Sequence, residues 1–169
     1  IRICLVGSEM CIRDRYRSGP TMAAAERMRI TVTGSQTHGA VPWKGVDPIA
    51  ISSQIITALQ TIVAREVNIT QVPAVVTIGS IHGGVRNNII PEEVVMEGTI
   101  RTFNDEVRKD IHDSIRKKAE MIASASGATA KVEIFSDIAK VTFNEPSLTD
   151  KMVPSLERVY GKELSLIHI

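Results

Sequence analysis

The histidine at position 38 stands in a segment that offers it no apolar packing partner. Residues 34–48 have the sequence GSQTHGAVPWKGVDP, so Gly, Ser, Thr and Ala surround His38. Imidazole gains or loses a proton near neutral pH, and a loop between a strand and a helix is a common place for functional groups. The residues alone leave two alternatives open. His38 is either catalytic or a loop histidine whose hydrogen bonds are satisfied locally.

Asparagine and arginine side chains elsewhere could contribute to the same chemistry. Asn87 and Asn88 lie in HGGVRNNIIP, where they could bind a ligand or could build a turn, since asparagine tolerates the left-handed backbone conformation. Arg101 interrupts an apolar, strand-like run. It is expected either to keep an edge strand soluble or to form a two-pronged contact with a carboxylate.

The other three histidines are weaker candidates for a functional role. His82 precedes Gly83-Gly84 and either caps or borders a turn. His112 is expected on the solvated face of a helix, and His168 lies in the last residues of the chain, so both are expected to be inert.

Motifs for several other kinds of site are absent from the sequence. It contains no HExxH or His-x-Asp metal motif, no P-loop, no GxGxxG and no GxSxG. The net charge of +1 and the 4% aromatic content argue against nucleic-acid binding. No apolar run reaches the roughly 18–20 residues that cross a bilayer. We therefore expect no nucleic-acid partner and no membrane partner.

The candidate residues must be positioned by secondary-structure elements, and along the chain segments with the hydrophobic period of a strand alternate with segments that have the period of a helix. Asp47-Pro48 predicts the start of a helix, with Asp as N-cap, and Gly127 predicts the end of another. Strands are predicted at 28–33, 73–81, 93–103 and 129–135, and helices at 49–66 and from Asp105 to Gly127. The order β-α-β-β-α-β predicts an α+β fold of the ferredoxin-like kind, a four-stranded antiparallel sheet with two helices on one face.

The segments before and after the ferredoxin-like unit are expected to lie outside it. We assign 28–137 to the ferredoxin-like unit, 16–27 to a connector and 138–163 to a return into a neighbouring domain, with a helix at about 147–160. Residues 1–15 and 164–169 resemble translated sequencing-adaptor read-through, and we exclude them from the fold. Cys4 and Cys11 fall within them, and their spacing matches no zinc or redox motif.

Four segments together resemble a known family. SQTHGAVPWKGVDPI, ALQTIVARE, VVTIGSIHGGVRNNIIPEEV and GTIRTF resemble the dimerisation (lid) domain of the dinuclear-zinc amidohydrolases, over residues 17–163. That family includes aminoacylases, hippurate hydrolases, auxin-conjugate hydrolases and glutamate carboxypeptidases. The sequences of the His-Gly-Ala and Trp-x-Gly-Val-Asp-Pro segments are most similar to those of the hippurate hydrolase-like N-acyl-amino-acid branch.

The resemblance implies a fold, partners and roles for these residues. The chain would be a lid inserted in a split catalytic domain, which holds two divalent metal ions, zinc in the family, and of which this chain has only stubs. Lids pair into a homodimer, and His38 reaches the other subunit's site to stabilise a tetrahedral oxyanion. Asn88 and Arg101 bind the substrate, the arginine through its carboxylate, and Asn87 remains an alternative to Asn88.

The expected activity is hydrolysis of the amide bond of N-acyl amino acids or similar small molecules. We expect a cytoplasmic protein, and we expect this piece, which binds no metal itself, to be inactive alone. The alternatives are a free-standing ferredoxin-like module with a binding or regulatory role and, less in keeping with the charge, an RNA-binding module.

Overall fold

The computed structural model describes residues 18–160, which form two compact units. The larger unit is Ala24–Lys140, and the smaller one combines the segments on either side of it. The adaptor-like ends, with Cys4, Cys11 and His168, lie outside the described residues.

Eight strands and three α-helices follow one another along the described chain. The strands are β1 Gly19–Met22, β2 Ala24–Thr33, β3 Thr37–His38, β4 Ala74–Gly83, β5 Ile89–Ile90, β6 Glu93–Thr102, β7 Thr129–Ala139 and β8 Thr142–Asn144. The helices are α1 Pro48–Thr61, α2 Asp105–Ala125 and α3 Pro146–Tyr160. A 3₁₀ turn, Pro42–Lys44, and a π-helical turn, Ile62–Glu66, complete the set.

The larger unit is a four-stranded sheet covered by two helices. Its strand order is β4-β6-β2-β7, and every neighbouring pair is antiparallel. One apolar core joins the sheet to α1 and α2, and its largest fully buried members include Met28, Ile30, Ile55, Leu59 and Ile115. The α+β class predicted from the sequence is confirmed, and these elements follow the predicted β-α-β-β-α-β order.

The start of α1 and the end of α2 have the capping residues that the sequence predicts. The Asp47 carboxylate accepts hydrogen bonds from the backbone N–H groups of Ile49 (2.8 Å) and Ala50 (3.3 Å), so it caps α1. At the end of α2, Gly127 has φ of 76°, which favours glycine, and the Ala128 N–H bonds back to the Ala123 carbonyl.

Two strands are longer than their alternating patterns predict. β2 begins at Ala24 rather than Met28, and β7 continues to Ala139 rather than ending at 135. The early start escapes the pattern because Glu26, which is 1% exposed, occupies a core position that the pattern assigns to apolar side chains.

The smaller unit consists of the β1–β8 pair and α3. The Glu145 carboxylate accepts hydrogen bonds from the N–H groups of Leu148 (2.6 Å) and Ser147 (3.1 Å) at the start of α3. These bonds hold the pKa of Glu145 below its usual value. Within residues 18–160, no helix combines the length and apolarity needed to cross a bilayer.

Candidate functional site

A two-stranded pairing brings His38 next to Asn88. In β3, Thr37 pairs with Ile90 and His38 pairs with Ile89 of β5. The Gly39 N–H then donates to the Asn88 carbonyl oxygen at 2.8 Å. The segments GSQTHGA and HGGVRNNII, distant in sequence, therefore meet at the His38–Asn88 junction.

Glycines fix the His38 loop by allowing very close backbone approach. A Cβ on Gly34 would lie 2.2 Å from the Val46 carbonyl oxygen, and one on Gly45 would lie 2.5 Å from the Ser35 carbonyl oxygen. Ser35 and Val46 exchange two backbone hydrogen bonds, of 3.0 and 3.1 Å, at this crossing. The small residues thus close the base of the loop tightly, and His38 lies in its exposed part.

The exposed imidazole of His38 has one nitrogen committed and one unbonded. Its Nδ1 accepts a hydrogen bond from the Ala40 N–H at 3.1 Å. In the neutral ring, an acceptor at Nδ1 requires the proton to be on Nε2. No group that the structure describes bonds to Nε2, so His38 presents an N–H donor to a ligand.

The turn before β5 does not need its asparagines for backbone geometry. Gly84 has φ of 82°, whereas no described residue other than glycine has positive φ. The alternative that Asn87 or Asn88 takes a left-handed backbone conformation in this turn is therefore wrong. Both side chains are exposed, and the Asn88 backbone is the one bonded to the His38 loop.

Arg101 lies on an interior strand, far from His38. β6 lies between β4 and β2, so of the two alternatives for Arg101 the edge-strand one is wrong. Arg101 is exposed and lies opposite Ala25 and Val75. Glu92 and Glu93, at the start of β6, adjoin the His38 loop through a bond from the Gly34 N–H to the Glu92 carbonyl.

One protomer does not bring all three predicted residues together. Arg101 is eight positions after Glu93 in β6, which corresponds to about 26 Å along the strand at roughly 3.3 Å per residue. His38 and Asn88 are thus neighbours at one end of the sheet, and Arg101 lies at the other end.

A buried charged cluster around Glu26 was missed by the sequence analysis. The Nε2 atom of His112 lies 2.6 Å from Oε2 of Glu26, and Arg108 Nε lies 3.9 Å from its Oε1. His112, with its side chain 14% exposed, is therefore not on a solvated face as expected. The signal was present in the period-2 pattern of β2, which places Glu26 on the same face as Met28 and Ile30.

The described residues do not fit a metal site. Between residues 18 and 160, no three His, Cys, Asp or Glu side chains converge as a bound metal ion would require.

Comparisons with known proteins agree on one family. Residues 25–126 match the peptidase dimerisation domain of the M20 family. The chain is 38% identical over 143 residues to thermostable carboxypeptidase 2 of Saccharolobus solfataricus, covering 85% of this chain and 36% of that protein. It is 44% identical over 117 residues to N-acetyl-L-cysteine deacetylase of Bacillus subtilis, covering 69% and 28% respectively.

A solved structure gives the same result for the fold. The chain superposes on a dinuclear metal-binding peptidase of the M20 family from Bacillus subtilis with a TM-score of 0.68 and 29% identity, covering 90% of this chain and 36% of that one. The chain thus spans about a third of the length of the relatives it matches. From the match over residues 25–126 and this shared fold, the chain belongs to the M20 peptidase dimerisation domain family.

Proposed function

We propose that this chain is the dimerisation lid of a metal-dependent amidohydrolase that cleaves the amide bond of N-acyl amino acids or similar substrates. Relatives that share this lid are named as a carboxypeptidase and a deacetylase. Two divalent metal ions, zinc by resemblance, would be held by a catalytic domain outside this chain. The lid alone would be inactive.

His38 would stabilise the oxyanion of the tetrahedral intermediate. Amide hydrolysis places negative charge on the former carbonyl oxygen, and a donor positioned there lowers the barrier. The Nε2–H of His38 is such a donor because Nδ1 is occupied by the Ala40 N–H. Asn88, held beside His38 by the β3–β5 pairing, would contribute a second polar group, and its position favours it over Asn87.

Arg101 would bind the substrate carboxylate. Its guanidinium can form two parallel hydrogen bonds with a carboxylate, and it forms no ion pair with any described carboxylate. A substrate bound in this way would present its α-carboxylate to the outer face of the sheet.

The separation of His38 from Arg101 is the observation that carries this proposal. The His38 loop adjoins the start of β6, and Arg101 lies about 26 Å further along that strand, which is longer than an N-acyl amino acid. We therefore infer that one substrate does not reach both residues of one protomer. Two lids related by a two-fold axis can supply His38 and Asn88 from one copy and Arg101 from the other. The homodimer would therefore be a requirement of the active site.

The outward face of α1, together with the edge strand β4, is the surface we assign to this dimer. Residues 48–64 include no charged side chain. The exposed hydroxyls of Ser53, Thr57 and Thr61 donate to carbonyl groups of their own helix, at 2.7, 3.0 and 2.7 Å. In contrast, ten of the 21 residues of α2 are charged. An uncharged face with satisfied hydroxyls is suited to burial against a second copy.

Complementation between two inactive variants tests the proposal in the full-length enzyme. His38→Ala should lower kcat by about 10²–10³-fold if it removes an oxyanion donor, and Arg101→Ala should chiefly raise KM. In a mixed dimer of the two variants, one composite site has both residues intact and the other has neither. Random mixing in equal amounts should therefore restore about a quarter of wild-type activity, as expected for a symmetric dimer.

Alanine variants of the two asparagines distinguish the proposed role of Asn88 from that of Asn87. Asn87→Ala should retain activity, whereas Asn88→Ala should not. Absence of recovery in the mixed dimers would refute the cross-subunit site. A full-length protein that cleaves no amide substrate would instead point to the binding-module alternative.

A further inference from the structure

The outer face of the sheet, which is turned away from α1 and α2, carries an uneven set of charges. Its cations include Arg27 and Arg29 of β2, Arg101 of β6 and Lys131 of β7. In each strand these residues alternate with the residues that face the core. Two of these four cations form ion pairs with a carboxylate of the same face. Arg29 contacts Glu97 at 2.6 Å, and Lys131 contacts Glu133 at 2.9 Å.

The other two cations have no carboxylate partner in the part of the chain that the structure describes. Neither Arg27 nor Arg101 forms an ion pair there, and both are exposed. Glu97 forms its hydrogen bonds with Arg29, whereas Arg27 acts on Glu97 only through a weaker electrostatic attraction that adds to the lowering of the Glu97 pKa. Two arginines are thus left to bind an anion from outside the lid.

The sheet register places these two arginines side by side. Arg27 is opposite Thr99, and Arg101 is opposite Ala25, so they are diagonal neighbours with backbones about 7–8 Å apart. Ala25 offers only a methyl group next to Arg101. No large side chain of β2 therefore separates the two.

The Arg27 guanidinium is directed away from the strand that carries Arg101. The Arg27 guanidinium lies over the Phe135 ring, 4.7 Å from its centroid, on the β7 side of β2. Arg101 starts from β6, on the other side of β2, and two strand spacings amount to about 10 Å. The stacking on Phe135 thus places the Arg27 guanidinium toward β7, away from the strand that carries Arg101, where it can bind a second carboxylate.

We propose that Arg27 and Arg101 bind the two carboxylates of a dianionic substrate, so that the lid selects amides with a second carboxylate besides the α-carboxylate. This proposal rests on the proposed function, in which Arg101 binds the α-carboxylate. Arg27 is then a specificity-determining residue. The second carboxylate can belong to the amino-acid side chain or to the acyl group, and both sources have the same recognition chemistry.

Matched substrate pairs test this in the full-length enzyme. N-acetyl-L-glutamate against N-acetyl-L-glutamine places the acid on the amino acid, and N-succinyl-L-alanine against its succinamide analogue places it on the acyl group. We expect kcat/KM to favour the acid in one pair, which identifies the source. Arg27→Gln should reduce that preference about 10-fold or more, since a charge-assisted hydrogen bond is lost, with little change for the neutral substrate.

Control variants make the result specific. Arg27→Lys should retain part of the preference, and Lys131→Gln, which removes a matched cation of the same face, should leave it unchanged. Equal kcat/KM for acid and amide in both pairs, or an unchanged preference in Arg27→Gln, would overturn this inference and leave the amidohydrolase proposal intact. Hydrolysis of none of the four substrates would overturn both.

Discussion

At the scale of single residues, the geometry of the site depends on positions that carry no chemistry. Gly34, Gly39 and Gly45 let three backbone segments meet around His38, and a Cβ on Gly39 would lie 3.3 Å from the Asn88 backbone. His38 owes its free Nε2–H to the Ala40 N–H, which is another backbone group. His38 is thus positioned by main-chain contacts.

Gly34→Ala tests this dependence. The added Cβ would meet the Val46 carbonyl oxygen at 2.2 Å, a backbone atom that cannot swing aside, so the Ser35–Val46 crossing must open. Overpacking of this kind costs about 1–3 kcal/mol, and the urea midpoint of unfolding should fall accordingly. Gly79→Ala, where the nearest atom is 3.9 Å away, serves as the control. Equal midpoints for the two variants would contradict the argument.

At the scale of elements, the π-helical turn Ile62–Glu66 joins α1 to α2. The Glu66 carboxylate accepts a hydrogen bond from the Ser114 hydroxyl at 2.7 Å and pairs with Lys118 at 2.9 Å. Lys118 first, and then Ser114, hold the pKa of Glu66 below its usual value. The two helices that cover the sheet are therefore linked by a charged contact at the protein surface.

This contact predicts a pH dependence of stability. Because the pKa of Glu66 is lower in the folded state, its stabilisation is present above the unfolded-state value of about 4.3 and is lost as pH falls through the folded-state value. Lys118→Gln should lower the free energy of unfolding at pH 7 by less than about 1 kcal/mol, since the pair lies at the surface and is partly exposed to solvent. The difference from wild type should shrink below pH 4. Lys109→Gln on the same helix should show no such pattern in urea titrations.

The sequence predicts the elements better than their exact limits. The caps Asp47 and Gly127, and the periods of the strands and helices, are local signals, and they locate α1, α2 and the four strands of the sheet correctly. The start of β2 was missed because a buried Glu26 depends on His112 and Arg108, which are distant in sequence. For the same reason, the pairing of β3 with β5 could not be derived from periodicity.

Of the candidate site, the sequence predicts residue identities but not their spatial relations. The meeting of His38 with Asn88 is a long-range pairing, and the separation of Arg101 follows from sheet register. No pattern in the sequence identifies Arg27 as a candidate binding residue. Its lack of a carboxylate partner becomes visible only when Arg29 and Lys131 are found matched to theirs.

At the scale of the whole molecule, the proposed active site exists only if two lids associate, so association and activity should be lost together. Ser53→Glu with Thr57→Glu places two charges on the uncharged outward face of α1, where both side chains are exposed. The monomer should therefore still fold, at the small cost of one like-charge i,i+4 pair. Burying unpaired carboxylates in an interface is costly, so sedimentation should show monomers, and the full-length enzyme should lose activity about as strongly as His38→Ala. Lys117→Glu, an exposed change on α2, should leave the dimer intact. A Ser53→Glu, Thr57→Glu variant that stays dimeric would place the interface elsewhere, whereas a monomer with full activity would refute the shared site.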